Sequence, residues 1–173
     1  SSSLDPKGNL DKYFATAPIR RIRAEVLLNA ITQITETKNY FSNSYMDTKA
    51  TQLLVSNSGN SFLNTFGRVN RKSPTIACES MTEPNLAQSL ELLNGKTIND
   101  KINGSPFVQR AMNEKWDPEK FINTLYIRAL SRPPNAQEME KLKALYTNPE
   151  NPRDLHQDVF WAILNSKEFI FVR

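Results

Sequence analysis

Large apolar residues recur every three or four positions in several parts of the chain, which is the pattern of helices that bury one face. In the first such segment, residues 23–37, the stripe consists of Ala24, Leu27, Leu28, Ile31 and Ile34. The same pattern predicts further helices at 83–93, 118–131, 136–146 and 153–165, with shorter ones at 96–102 and 106–113. The chain is therefore predicted to be all-α, an irregular helical bundle of about five to seven helices with little or no sheet.

Helix-stopping and helix-capping residues support these boundaries. Pro133 and Pro134 forbid continuation of the helix before them. Asn135, with Glu138 three residues later, has the pattern of a capping box that starts the next helix. The inward face of that helix is predicted to consist of Met139, Leu142, Leu145 and Tyr146.

Two stretches lack a helical period. Residues 1–19, broken by proline and glycine, are predicted to form an extended N-terminal arm or linker. Residues 38–60 are rich in Ser, Asn and Thr and form a long polar loop, in which residues 53–55 are either a short strand or an apolar pin. Residues 20–173 then make a single helical domain. The Ser-rich start without Met leads us to expect an excised piece of a longer protein.

The composition excludes several classes of site. One cysteine and one histidine leave no internal disulfide and no zinc site built from nitrogen and sulfur ligands. The motif for covalent haem attachment is absent as well, and we predict no cofactor in this chain. No apolar run is long enough to span a bilayer. The net charge of +4 is a weak signal, and because acidic residues interleave the basic ones, nucleic acid is not expected as a partner.

Three arginines, Arg20, Arg21 and Arg23, precede the first predicted helix. Cations at a helix N-terminus oppose the helix dipole, so a neutralising partner is expected. The simpler interpretation is an ion pair with Glu25 or with carboxylates elsewhere in the protein. The alternative is a polyanion-binding site whose ligand is phosphate or an anionic glycan.

A second basic patch contains Arg68 and Arg71 and is followed closely by Cys78, Glu79 and Glu83. The simpler interpretation is a loop fixed by ion pairs between these arginines and acids. The alternative is a hydrolase-like enzyme, because glycosidases use two carboxyl groups about 5–9 Å apart. Nearby acids disfavour a thiolate, so the cysteine is predicted to be structural rather than reactive.

The histidine and the tryptophans are the remaining candidates. His156 lies among polar residues in the first turns of the last long helix and is predicted to be at the surface. Phe160 and Trp161 are adjacent, so both cannot face one interior. Trp116 lies on a short link between two helices. Either Phe160 or Trp161 is therefore predicted to meet the terminal segment 169–172 or another domain, and Trp116 is a second candidate for contact with a neighbouring domain of the same polypeptide.

Six segments in consistent order together resemble one known family. They are residues 20–27, 62–68, 78–88, 92–95, 125–134 and 161–169, and they include Arg20-Arg21-Ile22-Arg23, Phe66-Gly67-Arg68, Asn94-Gly95 and Ser131-Arg132-Pro133-Pro134. This set resembles the C-terminal part of the planctomycete-specific domain of unknown function. The resemblance implies export to the periplasm, the cell surface or the outside of the cell. It also implies a large multi-domain protein, often with cytochrome c-like modules, so that any haem would lie on another module.

These observations favour a non-catalytic structural or interaction domain of a large exported multi-domain protein. In the context implied by the resemblance, the domain would support polysaccharide processing or a redox assembly by packing on neighbouring domains. Two alternatives stay open. One is a hydrolase-like enzyme with its site near Arg68, Cys78, Glu79 and Glu83, and the other is a polyanion-binding module.

Overall fold

The computed structural model describes residues 20–41, 44–45, 48–53, 60–66, 95–146 and 151–172. Within these ranges the chain forms the helices α1 (Ala24–Thr35), α2 (Ser61–Thr65), α3 (Lys96–Asn103), α4 (Pro106–Asn113), α5 (Pro118–Leu130), α6 (Ala136–Leu145), α7 (Pro152–Leu164) and α8 (Lys167–Ile170). A short 3-10 helix spans Ala50–Gln52. The mostly α-helical fold is confirmed. The predicted arm at 1–19 and the predicted helix at 83–93 lie outside the described residues.

A small antiparallel sheet joins the first and last described segments. Its strands are β1, Arg20–Arg21, and β2, Phe171–Val172. Arg20 pairs with Val172 and Arg21 pairs with Phe171. The amide of Ile22 extends this ladder by donating to the carbonyl of Ile170 at 3.0 Å. These hydrogen bonds fasten the N-terminal end of α1 to α8.

The helix ends follow the capping chemistry seen in the sequence. Asn135 and Glu138 form the capping box that starts α6, with both hydrogen bonds at 2.8 Å. Ser131 ends α5 with a left-handed backbone, φ 57°, immediately before Arg132 and the two prolines. Glu36 ends α1 in the same way with φ 58°, and its amide donates to the carbonyl of Thr32. Every predicted helix that the structure describes ends within two residues of its expected limits.

The core lies between α1 and the pair α5–α7, with α3 and α4 packed against both. The predicted stripe of α1 is fully buried, as expected from its spacing. Phe107 of α4 sits at the centre, where its ring centroid lies 5.5 Å from that of Phe121 and 5.9 Å from that of Phe160. Aromatic rings at these separations add contact energy beyond the burial of their area. The core therefore fixes α4, α5 and α7 relative to one another.

The prediction that His156 lies at the surface is wrong, because its side chain is only 4% exposed. It belongs to the buried stripe of α7 that continues through Val159, Phe160 and Ile163 at helical spacing. Its ring centroid lies 4.0 Å from that of Phe121. The polar neighbours of the histidine in sequence lie on other faces of the helix, so they gave a misleading signal.

The prediction that Leu145 faces inward is also wrong, since this residue is 50% exposed. Met139, Leu142 and Tyr146 pack against the core as expected. α6 packs mainly on α5, so only a narrow strip of its surface is covered. Leu145 falls beyond that strip.

Candidate functional site

The three arginines near the start of α1 lie at one end of the domain. Arg20 and Arg23 are exposed, and Arg23 occupies the N-cap position of α1 without a capping side-chain hydrogen bond. Arg21 is half-buried and donates from Nη2 to the carbonyl of Phe66 at 3.4 Å. Its guanidinium also lies 5.5 Å from the centroid of the Phe66 ring. Arg21 thus tethers α2 to β1.

The second basic patch predicted from the sequence and the acidic residues that follow it belong to a part of the chain that the structure does not describe. Arg68, Arg71, Cys78, Glu79 and Glu83 all lie outside the described residues. The structure therefore does not test a hydrolase-like site at these positions.

Trp116 makes its described contacts with residues of this domain. Its indole Nε1 donates to the carboxylate of Glu114 at 2.7 Å, and its ring packs edge-on against Phe107 at 5.7 Å between centroids. The ammonium of Lys120 lies 4.5 Å from the centre of the ring. Trp161 is partly buried and packs on the core, whereas the adjacent Phe160 lies inside it. The described contacts of both tryptophans are with their own domain.

A concave surface in the described part of the chain is a polar groove beside the second half of α1. It is open, has a volume of about 650 Å³, and lies between α1 and two described parts of the segment 37–51, namely 37–39 and 48–51. Seven of its lining residues bear hydroxyl or amide groups and three bear charges. The residues that line this groove are Asn29, Thr32, Gln33, Glu36, Thr37, Lys38, Asn39, Thr48, Lys49 and Thr51.

One wall of the groove is the polar face of α1. Its four lining residues recur at spacings of three and four, opposite the buried stripe: Asn29, Thr32, Gln33 and Glu36. Because the apolar stripe of the same helix is held in the core, this polar face has a fixed direction. The groove wall is therefore as rigid as the helix itself.

The other wall is held against α1 by side-chain hydrogen bonds. The Asn29 amide accepts from the backbone of Ala50 at 2.8 Å and donates to the Thr51 hydroxyl at 3.0 Å. The Thr32 hydroxyl donates to the side chain of Asn39, a buried residue, at 3.0 Å. Leu53 is buried and pins the end of this segment to the core. Part of the predicted polar loop is thus ordered structure at the edge of a groove.

Two exposed tyrosines belong to the same segment. Tyr40 follows the lining residue Asn39 and is 71% exposed, and Tyr45 is 93% exposed. The hydroxyl of Thr48, which lines the groove, donates to the backbone carbonyl of Tyr45 at 2.7 Å. The backbone of Tyr45 is therefore held next to the groove, although neither tyrosine is among its lining residues. Both rings stand in solvent, although most large apolar side chains of the described chain are buried.

The one carboxylate in the groove lining is committed to two arginines. Glu36 Oε1 accepts from Arg110 at 2.7 Å and from Arg128 at 2.6 Å. Partial burial raises the pKa of Glu36, but the hydrogen bonds from both arginines outweigh this and leave the pKa below its ordinary value. Glu36 is consequently an ion-paired anion at neutral pH, and it is poorly suited to act as a general acid.

Cations gather around the C-terminal end of α1. Arg128 donates to the Gln33 carbonyl at 3.2 Å, and Lys101 donates from Nζ to the Thr37 hydroxyl and the Lys38 carbonyl, each at 3.1 Å. Positive groups at this end complement the helix dipole and bind free carbonyls. Partial burial lowers the pKa of Lys101 to about 8 by desolvating its ammonium. This end of α1 is therefore strongly positive, even though Glu36 lies within it.

A buried polar pair lies away from the groove. Nδ1 of His156 lies 2.7 Å from the carbonyl of Pro152, while its Nε2 and the hydroxyl of Tyr146 have no hydrogen-bond partner among the described residues. The two rings meet edge-on with their centroids 5.5 Å apart. Burial lowers the pKa of His156 and raises that of Tyr146, so both groups are neutral at pH 7.

Within the described ranges, no three metal-binding side chains converge on a point that could hold an ion. Nor does any helix in those ranges have the length and apolarity needed to cross a bilayer.

The sequence of this chain matches one known protein family over most of its length. The family model of PSD1, described as a protein of unknown function (DUF1553), matches residues 1–146. The chain belongs to the PSD1 family. No curated protein and no solved structure gives a significant match.

The match covers the whole groove of this PSD1 domain, because every lining residue lies before residue 52. It also covers the cationic residues Lys101, Arg110 and Arg128 that surround the end of α1. The segments 125–134 and 161–169 both contributed to the resemblance noted from the sequence, but only the first lies within the matched range. α7, α8 and β2 lie outside it.

Sequence reasoning missed the groove, although a signal was present. The polar residues of α1 have the same helical period as its apolar stripe, so a polar face of fixed direction was predictable. Tyr40 and Tyr45 are large aromatic residues in a segment dominated by polar residues. What the sequence does not show is that Asn29 would clamp the 3-10 helix and so close the second wall.

Proposed function

We propose that this PSD1 domain is a non-catalytic binding module whose contact surface is the polar groove between α1 and the segment 37–51. The observation that carries this proposal is the composition of the groove lining, in which seven hydroxyl or amide side chains surround one ion-paired carboxylate. Hydrolysis by paired carboxylic acids needs two such groups at suitable separation. A lining of this kind is suited to hold a polar ligand by hydrogen bonds.

The size of the groove supports the same role. Its volume of about 650 Å³ lies within the usual range for ligand sites, about 300–1,000 Å³. Its walls are preformed, because the Asn29 clamp and the buried stripe of α1 hold them in place. Preformed walls lose little conformational entropy when a ligand binds.

The setting of the module is a proposal that rests on the family resemblance alone. We place the domain in a large exported multi-domain protein, where it would support polysaccharide processing or a redox assembly. Neighbouring domains of the same polypeptide are then competing occupants of its surfaces, and haem would be carried by another module.

Blocking the groove tests the proposal. Gln33 is exposed and lines the groove, so Gln33→Trp fills the space without disturbing the core. Lys141→Trp, on the exposed face of α6, is the matched control. The probes are a neutral oligosaccharide, an acidic oligosaccharide, an acidic peptide and a single-stranded oligonucleotide, with affinity measured by calorimetry.

We expect one class of probe to bind the wild-type protein. Gln33→Trp should weaken that binding by about tenfold or more, equivalent to about 1.4 kcal/mol, while Lys141→Trp leaves it unchanged. If no probe binds, or if binding is indifferent to Gln33→Trp, the groove is not the contact surface and the proposal is wrong.

A further inference from the structure

We propose that the ligand of this groove is an acidic oligosaccharide, whose sugar rings pack on Tyr40 and Tyr45 and whose carboxylate or sulfate groups pair with Lys38 and Lys49. This inference rests on the proposed binding function and adds the chemical class of the ligand. Three properties of the groove and of the segment beside it carry this inference: two exposed tyrosines in that segment, a lining of hydroxyl and amide groups, and an excess of positive charge.

The exposed tyrosines are the first property. Burying a large apolar side chain stabilises a protein by about 1.5–3 kcal/mol, yet Tyr40 and Tyr45 leave their rings in solvent. A tyrosine ring presents a flat apolar face and a polar hydroxyl, which suits a partner that has both kinds of surface. A sugar ring is such a partner, because its C–H groups form an apolar face and its hydroxyls form a polar edge.

The lining is the second property. Asn29, Asn39 and the threonines at 32, 37, 48 and 51 already make hydrogen bonds that hold the walls. Their amide and hydroxyl groups keep further capacity to donate or to accept. A sugar chain exposes many hydroxyls of the same dual character, each of which loses water when it enters a groove. Partners that donate and accept can replace that water at little cost.

The charge is the third property. Lys38 and Lys49 line the groove, and Lys101 lies behind Thr37, to which its ammonium donates a hydrogen bond. The carboxylate of Glu36 is already shared by Arg110 and Arg128. Among the described residues that line the groove or make side-chain hydrogen bonds to its lining, five cations thus face one carboxylate. An anionic ligand is attracted to such a site, whereas a cationic one is repelled.

The same features favour a sugar over a nucleic acid strand. Single-stranded nucleic acid also stacks on aromatic rings, but it carries one phosphate per nucleotide and needs a continuous basic track. Here two lysines stand among seven uncharged polar residues in the lining. A short acidic sugar chain matches this lining better, because its hydroxyls pair with the uncharged polar residues and its few carboxylates need only a few cations.

A pair of matched ligands tests the acidic class directly. Trigalacturonate carries a carboxylate on each ring, and its methyl ester keeps the rings but removes the charge. We expect trigalacturonate to bind at least about tenfold more tightly than the ester at low salt, with the advantage falling as salt screens the charges.

Variants separate the roles of the lysines and the tyrosines. Lys49→Met should lower the affinity for trigalacturonate by about three- to tenfold and leave the affinity for the ester unchanged, because only the charged ligand pairs with the ammonium. Tyr45→Ala should lower the affinity for both ligands, because both pack a sugar ring on the tyrosine ring. Lys141→Met, an exposed lysine on α6, is the control and should change neither affinity.

Each contrary outcome is informative in a different way. Equal affinity for the acid and the ester would overturn the acidic class but leave the groove as a sugar site. Tighter binding of the oligonucleotide or the acidic peptide, lost in Gln33→Trp, would overturn the sugar and leave the proposed function standing. Absence of binding by every probe would overturn both.

Discussion

The guanidinium of Arg132 donates two hydrogen bonds to the carboxylate of Glu138, both at 2.8 Å. The same guanidinium donates two more to Glu168, at 2.7 and 2.6 Å. It also lies 5.5 Å from the centre of the Tyr126 ring. One side chain in the turn after α5 thus joins the capping box of α6 to the start of α8.

Because Arg132 makes all these contacts, replacing it should destabilise the fold more than replacing an ordinary surface arginine. Arg132→Met should lower the free energy of unfolding by about 1–2 kcal/mol, because it removes a network of paired contacts rather than one exposed ion pair. Arg132→Lys should recover only a part, since an ammonium cannot form two double contacts at once. Urea unfolding followed by circular dichroism measures both values.

The matched control is Lys143→Met, which removes the single ion pair between Lys143 of α6 and Glu119 of α5. Both partners are exposed, so its loss should cost about 0.5 kcal/mol or less. Equal costs for Arg132→Met and Lys143→Met would show that the network adds nothing to a simple surface pair.

The same network predicts a loss of stability in acid. Hydrogen bonds from Arg132 lower the pKa of Glu138 from 4.5 to about 2, and they lower the pKa of Glu168 as well. Because these values are depressed in the folded state, their stabilisation is complete above about pH 4.5 and is lost as pH falls towards 2. Arg132→Met should flatten the stability curve in that interval. Parallel curves for the two proteins would contradict the assignment.

His156 predicts a second pH effect at higher pH. Burial lowers its pKa below 6.5, so the unfolded chain binds a proton there before the folded protein does. Stability should therefore fall as pH decreases below about 6.5. His156→Gln cannot titrate and should lack this decline. Thermal unfolding at a series of pH values between 7 and 5 compares the two slopes, and a wild-type curve as flat as that of the variant would refute the prediction.

Replacing Tyr146 by phenylalanine should lower the stability of the fold little or not at all. The Tyr146 hydroxyl is buried and has no hydrogen-bond partner in the part of the chain that the structure describes, and an unsatisfied buried polar atom carries a desolvation penalty. Tyr146→Phe removes that atom and keeps the ring against His156. We expect no loss of stability, or a gain of up to about 1 kcal/mol. A loss of more than this by chemical unfolding would reveal a hydrogen bond, for example through a bound water.

The spacing of apolar residues and the capping residues were enough to predict the helices, because both signals lie within the helix or directly beside it in sequence. The stripe of α1 and the capping box before α6 are examples, and both are found as expected. The same local rule failed for His156, whose burial depends on Phe121 from a different helix. It failed for Leu145 because the extent of packing on α6 is set by its neighbours.

The candidate site needed contacts between distant parts of the chain. Glu36 meets Arg110 and Arg128, which lie 74 and 92 residues away in sequence. Lys101 reaches Thr37 from α3. No spacing in the sequence connects these residues, so the positive end of α1 could not be predicted. The residues that attracted attention instead, such as Arg20 and Arg23, lie at the other end of the same helix.

The most direct test of the binding surface is a map of the residues that respond to a ligand. Amide chemical shifts of the ¹⁵N-labelled protein, recorded during titration with trigalacturonate, supply that map. Our account predicts shifts concentrated between Asn29 and Thr51, with the side-chain amides of Asn29 and Asn39 among the largest. Shifts centred on Arg20 and Arg23, or spread evenly over the surface, would contradict it.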